Sequence, residues 1–187
     1  LKRVKDLQMN KKDRFGYYAQ ELIEEIRNQT NSLLKKLYDI YSNKILPELA
    51  KNNIYIKNYR ELTREQKKIV KQYFETTLFP IITPMAIDAG HPFPSLPSKT
   101  IAFAVHVLRK KTDYLAIVPL PKNIPRLVSL PSRKNEDCFI LSEDIIRQFM
   151  MLLFAGYKIK SYSLFRVIRD SELSSDIEET DDLLKSI

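Results

Sequence analysis

Near neutral pH, the side chains of this sequence best suited to nucleophilic or proton-transfer work are His91, His106 and Cys138. His91 sits in Gly90-His91-Pro92-Phe93-Pro94, a rigid stretch able to present an imidazole. The sequence places no nucleophile or acid beside it, so a structural or exposed loop histidine is expected. His106 alternates with apolar residues and is expected half-buried or on a sheet surface, not as a phosphate acceptor. Cys138 opens a strand-like run beside Phe139 and Ile140, which favours a packed thiol over a nucleophile. No catalytic, cofactor-binding or metal-binding residue is assigned from these three.

The arginines are more suggestive. Arg126 follows Pro125, while Arg166 and Arg169 flank a strand end beside Asp170. Planar, permanently charged guanidinium groups grip phosphate oxygens bidentately, so Arg126, Arg166 and Arg169 are the candidate polyanion contacts. The competing reading is structural and is weighed ahead: Arg169 pairs with Asp170, Glu172 or a loop carbonyl. Lys110-Lys111 falls in a turn between two strands and is the weakest candidate.

These residues need elements to hold them. Residues 14–50 read as one helix, with Phe15, Ala19, Leu22, Ile26, Leu33, Leu37, Tyr41 and Ile45 spaced as a single stripe. Pro47 is expected to kink or end its last turn. So long a helix requires partners that residues 1–13 do not supply; they are expected upstream or on another subunit. A membrane-surface helix is disfavoured by Glu21, Glu24 and Glu25. After Asn52-Asn53 the pattern changes, with a short strand at 54–56, and a domain boundary is placed near residue 53.

Thr63-Arg64-Glu65-Gln66 is a capping box, and Ile69, Val70, Tyr73, Phe74 and Leu78 give its helix an apolar face that ends before Pro80. Pro80, Pro84, Pro92, Pro94 and Pro97 predict an extended, rigid connection over 80–97, not a strand in mid-sheet. Strands are expected at 101–108, 114–119, 126–130, 138–141 and 165–168. Ser142 is expected to cap a helix with an acidic first turn, Glu143-Asp144, and Gly156 to stop it. Ser175 to Glu178 forms a second capping box. Strands interrupted by helices without βαβ regularity predict α+β: a long N-terminal helix, then an α+β domain with a mixed sheet and three or more helices.

Composition bounds the function. The chain has 187 residues, 44% of them hydrophobic, enough for a real core. One cysteine excludes an internal disulfide framework and supplies no structural zinc site alone. Three glycines leave no GxGxxG and no GxxxxGK phosphate loop. No apolar run reaches a membrane span and no signal peptide is seen, so a reducing, cytoplasmic setting is expected. The net charge of +8 is uneven: residues 1–72 hold 17 Lys/Arg against 9 Asp/Glu, whereas residues 171–187 hold 1 against 6. The basic part would attract nucleic acid, polyphosphate or an anionic membrane face; ordinary solvated helix faces explain it more simply. Without an initiator Met, and ending inside a helix-like pattern, the chain is expected to be a piece of a longer protein.

The order of segments carries a resemblance. Ile45-Leu46-Pro47-Glu48-Leu49-Ala50 leads to Glu61-Leu62-Thr63, then Tyr73-Phe74-Glu75, the run Leu78 to Pro84, and His91-Pro92-Phe93-Pro94. Pro125 to Pro131, Phe154-Ala155-Gly156 and Phe165-Arg166-Val167-Ile168-Arg169-Asp170 complete the series. Taken together, over nearly the whole chain, these resemble the bacterial polyphosphate kinase family, which polymerises phosphate from ATP.

The resemblance implies that residues 1–52 are the end of a helical N-terminal domain and 53–187 most of an α+β middle, or head, domain. It implies reversible transfer of the terminal phosphate of ATP to polyphosphate through a phosphohistidine, with magnesium, in the full-length enzyme. The histidines concerned belong to C-terminal domains that have no matching segment here, so neither His91 nor His106 inherits the role. The piece alone is therefore expected to be inactive and to bind neither ATP nor magnesium. Its expected work is homo-oligomer assembly and guidance of the polyanion; peripheral association with the inner membrane stays open. Two readings of other classes stand beside it: a nucleic-acid-binding module, suggested by basic charge and 10 Tyr, and a ligand-free oligomerisation scaffold. No nucleic-acid motif appears and the tyrosines fall on apolar stripes, so no specific nucleic acid is expected.

Overall fold

The structure, a computed structural model, describes Lys12, residues 16–88 and residues 90–168. The chain divides into two units between Tyr55 and Ile56.

In the first unit, helix α1 spans Ala19–Ile40, passes through a π turn at Tyr41–Ile45 and continues as α2, Leu46–Lys51. The helix starts later than the spacing predicts. Gly16 has φ +88° and Tyr18 is extended, with its N–H donating to Glu21 Oε2 at 3.1 Å, so the first turn is set at Ala19. Pro47 does not end the run. It has no N–H to donate, and the wider loop immediately before it, in which Leu46 N–H reaches back to the Tyr41 carbonyl, accommodates that missing bond. Asn53, at φ 60°, closes the helix in the left-handed conformation that Asn tolerates. Much of the apolar stripe is open: Leu33 is 65% and Tyr38 63% exposed, and Leu37 is exposed with them. Among the described residues no helix is long and apolar enough to cross a membrane.

Beyond the division the chain is α+β, as expected. Strand β1 (Ile54–Lys57) bridges the division, and a 3₁₀ turn follows at Tyr59–Glu61. Helix α3 (Arg64–Tyr73) is extended by a second π turn, Phe74–Leu78. Thr63 Oγ1 accepts the Gln66 N–H at 3.2 Å and Gln66 Oε1 accepts the Thr63 N–H at 3.1 Å, the reciprocal cap read from the sequence. Gln66 does more than cap. Its Nε2 donates to the Pro131 carbonyl at 2.7 Å and reaches Cys138 Sγ at 3.7 Å, tying the helix to a sheet. Val70, Phe74 and Leu78 are fully buried.

The expected mixed sheet is present, and a second, antiparallel sheet forms as well. The three-stranded sheet is mixed, in the order β1-β6-β5, with β5 Leu127–Leu130 and β6 Asp137–Leu141 antiparallel. The four-stranded sheet is antiparallel, in the order β2-β4-β3-β7, from β2 Met85–Ile87, β3 Ile101–Arg109, β4 Thr112–Pro119 and β7 Lys158–Arg166. Strand β2 arises inside the proline-rich stretch. It occupies the sheet edge, where neighbouring prolines cost no ladder bonds on the outer side. Phe103, Val105 and Val107 are buried on one face of β3. On the other face, Ala102 and Ile117 pack with Leu96 from the proline-rich stretch, whose Phe93 ring lies 6.4 Å from Phe165.

Helix α4 (Ser142–Leu153) corrects one expectation. Ser142 is its first helical residue, not its cap, and it is buried; Leu141 holds the cap position. The Ser142 N–H donates at 2.8 Å to the Arg126 carbonyl, so a main-chain acceptor from the neighbouring strand entry replaces the side-chain cap. Strand β7 begins seven residues before the Phe165 expected to open it, because Lys158 to Leu164 pair along the exposed edge of β3. The second capping box, Ser175 to Glu178, lies outside the described residues.

Candidate functional site

Arg126 is held by a carboxylate. Its Nε and Nη2 both donate to Glu143 Oε1, at 2.9 and 2.6 Å. Glu143, in the first turn of α4, is buried, and its Oε2 has no hydrogen-bond partner. With its carbonyl accepting from the Ser142 N–H and its guanidinium donating to the Glu143 carboxylate, Arg126 fastens the start of α4 from two directions. Arg166 ends β7 opposite Ile101, is exposed, and carries no ion pair among the described residues. Arg169 and Asp170 lie outside the described residues. Arg126, at the entry to β5 of one sheet, and Arg166, at the end of β7 of the other, are thus not brought together by a common sheet. The signal for Glu143 was present as an acidic first turn; its partner, seventeen positions earlier, was not signalled.

His91 has the acidic partner that the sequence reading denied it. Asp88 Oδ1 lies 2.9 Å from His91 Nδ1 and also accepts the N–H groups of Gly90 and His91, each at 2.9 Å. Paired main-chain bonds between Asp88 and His91 close the turn, which brings i and i+3 together without any helix. The His91 contact, followed by the Gly90 amide, holds the Asp88 carboxyl below the usual carboxylate range. The imidazole is largely exposed, and the pair stabilises a turn.

His106 stands on the sheet surface as expected. Its Nε2 is 2.9 Å from Asp113 Oδ1, which also meets Lys160 Nζ at 2.6 Å. The Lys160 ammonium first, and His106 to a smaller extent, hold the Asp113 carboxyl low. Cys138 is buried and packed, in line with its sequence setting.

Two features assemble only on folding. One is a cleft of about 360 Å³ whose walls come from the 3₁₀ turn (Tyr59, Arg60), helix α4 (Asp144, Arg147, Gln148) and β7 (Tyr162). Burial pushes the Asp144 carboxyl up, against the Arg147 guanidinium that bonds it at 2.5 Å. The other is the basic end of the four-stranded sheet. Lys110 and Lys111 form the tip of the β3–β4 hairpin, both with positive φ, 47° and 69°. Arg109 beside them donates to Tyr157 Oη at 3.2 Å and lies 5.0 Å from the Tyr157 ring centre. Lys158 faces Leu108 across the ladder.

Comparison with known proteins gives a consistent result. Two family models match: a polyphosphate kinase N-terminal domain over residues 1–57 and a polyphosphate kinase middle domain over residues 65–187. A polyphosphate kinase of Lactiplantibacillus plantarum is 34% identical over 190 residues, covering 100% of this chain and 26% of that protein. One from Neisseria gonorrhoeae is 34% identical over 196 residues, covering 100% of this chain and 28% of that protein. One from Dictyostelium discoideum is 36% identical over 167 residues, covering 88% of this chain and 16% of that protein. The crystal structure of polyphosphate kinase from Porphyromonas gingivalis superposes with a TM-score of 0.71 at 23% identity, over 81% of this chain and 24% of that one, and shows the shared fold. The chain spans about a quarter of the length of most of the curated relatives it matches.

Proposed function

The chain belongs to the polyphosphate kinase family, and from that premise we propose that it works as the assembly and polyanion-guiding portion of such an enzyme. In this reading residues 1–52 end the helical N-terminal domain and residues 53–187 form most of the head domain. The whole enzyme moves the terminal phosphate of ATP reversibly onto polyphosphate, with magnesium, in the cytoplasm. The transferred group rides on a histidine outside this chain. His91 is tied into a turn by Asp88, and His106 is bonded to Asp113, which leaves both with local structural work.

The observation that carries the assembly role is the open apolar stripe of α1. Leu33, Leu37 and Tyr38 stand in solvent on a helix of six turns, a surface whose burial contributes about 25 cal/mol per Å² removed from water. A second copy in a homo-oligomer is the proposed cover. The polyanion role rests on Arg166 and Arg169 as contacts and on Arg126 through its outward-facing guanidinium, whose side chain remains 59% exposed while paired with Glu143.

Sedimentation velocity tests the first role: the chain is expected to self-associate, and Leu33→Ser/Leu37→Ser to shift it to monomer. A wild-type chain that stays monomeric at high micromolar concentration overturns it. Incubation with ATP, magnesium and a polyphosphate primer tests the second half of the reading. No lengthening of the primer is expected, and lengthening would place the chemistry inside this chain.

A further inference from the structure

The hairpin end of the four-stranded sheet is built in a way that its own folding does not require. Two-residue hairpins of this kind need positive φ at both central residues, which is why Asn-Gly and Asp-Gly dominate them. Here both positions are lysines, Lys110 at φ 47° and Lys111 at φ 69°. Each pays the crowding between Cβ and carbonyl that glycine avoids. Strain retained at adjacent residues of one charge points to a use for that charge.

The neighbours share the sign. Arg109, Lys158 and Lys160 are exposed around the same end; the strand register sets Lys158 opposite Leu108, on one face of the sheet, while Arg109 lies on the other, so the cations flank the hairpin tip from both faces. With strands about 4.8 Å apart and about 3.3 Å per residue, these cations fall within roughly 10–15 Å of one another. That exceeds one Debye length at physiological salt, about 8 Å, so each cation acts chiefly on the phosphate nearest to it, and a long polyanion is needed to engage several at once. Asp113 is the carboxylate of this end, and it is occupied by Lys160 and His106. Lys110, Lys111 and Lys158 have no carboxylate partner among the described residues. Arg109 is held in place by Tyr157, whose ring meets Tyr114 edge-on at 6.1 Å between centres.

We infer that this hairpin end is an accessory binding surface for an inorganic polyphosphate chain, centred on Arg109, Lys110, Lys111 and Lys158. The inference rests on the family reading above and adds a site to it. The aromatics decide between polyanions. Stacking of bases needs an open ring face, whereas Tyr157 lies under the Arg109 guanidinium and Tyr114 is spent on Tyr157. What remains is a set of point charges without a base platform, which suits a chain of phosphates without bases.

The test exploits the strain. Lys110→Asn/Lys111→Gly removes two cations and supplies the residues that the turn prefers. Binding of labelled long-chain polyphosphate to the 187-residue chain is followed by anisotropy, alongside Tm. The double variant is expected to melt higher while its polyphosphate affinity falls at least tenfold. The slope of log K against log salt is expected to shrink by roughly 1.5, about 0.7–0.9 for each of the two cations removed. Lys158→Gln, on a regular strand, is expected to weaken binding severalfold without the gain in Tm. Arg133→Gln/Lys134→Gln, in the β5–β6 connection of the other sheet, is the control and should bind as wild type.

Unchanged affinity in the double variant, or an equal loss in the control, overturns the inference. So does displacement of polyphosphate by single-stranded RNA of matched charge at equal or lower concentration. Because binding is read on this chain without turnover, these outcomes are separate from failure of the kinase reading, which would appear in the phosphate-transfer assay of the whole enzyme.

Discussion

Removing the guanidinium of Arg126 takes away its pairing with Glu143. The Arg126 carbonyl keeps its bond to Ser142 N–H in an alanine variant, so the main-chain tie to α4 survives the loss of the side chain. That side chain gives two bonds, 2.9 and 2.6 Å, to one oxygen of a carboxylate whose side chain is 3% exposed. Charges about 3.5 Å apart at an effective dielectric near 20 attract by about 5 kcal/mol gross. Water reaches the arginine, which is 59% exposed, and takes back part of this. Stranding a buried carboxylate costs about 3–5 kcal/mol, and an exposed pair is worth at most about 1. Arg126→Ala is therefore expected to cost about 3 kcal/mol, which lowers Tm by roughly 6–12 °C for a chain of this size. Urea denaturation with a double-mutant cycle is the assay. Arg126→Ala/Glu143→Leu should recover most of the loss, because the unpaired charge leaves with its partner. A single-variant loss under about 1 kcal/mol, or a double variant no more stable than Arg126→Ala, would refute the assignment of Arg126 as the counter-ion of a buried acid.

Two other variants read out local chemistry. Gln66→Ala removes a helix cap and the bond to the Pro131 carbonyl together, and is expected to cost about 2–3 kcal/mol in thermal or urea denaturation; a cost below about 0.5 would mean that Gln66 ties nothing to the sheet. Lys160→Met should raise the midpoint of Asp113 in a carboxyl NMR titration by more than His106→Ala does, since Lys160 is the larger cause of its depression. A carboxyl held low in the folded state stabilises the fold above its unfolded pKa, and that contribution is lost as pH falls through the folded value. The acid limb that Asp113 adds below the usual Asp range should therefore flatten in Lys160→Met, and an unmoved midpoint would contradict the assignment.

Local grammar explains which parts of the molecule could be read in advance. Thr63 and Gln66 sit three residues apart and bond as such spacing demands, and the alternation of Ile101 to Leu108 sets which side chains of β3 enter the core. Both signals depend only on near neighbours. Strand β2 has no local signal because three residues between prolines carry no periodicity; its pairing with β4 is set by a partner about thirty residues away. Ser142 fits the composition of a cap, yet an acceptor from Arg126 had already met the need. The same holds for the functional residues. Arg126 was visible as a phosphate-binding type, but Glu143 was not visible as its partner. The walls of the cleft at Arg60, Arg147 and Tyr162 join only after folding. Lys110-Lys111 was legible as a turn, whereas its value lay in backbone angles that no composition reveals.

The π turn ahead of Pro47 also changes the geometry of everything before it. A wider turn takes in one extra residue without adding its rotation of about 100°. Twelve residues separate Leu37 from Leu49, and a regular α-helix would set them about 120° apart; with one residue absorbed by the π turn the offset falls to about 20°. The upstream stripe through Leu33 and Leu37 therefore runs on to Leu49, and a neighbour lying along that face can follow the helix past Pro47 without turning.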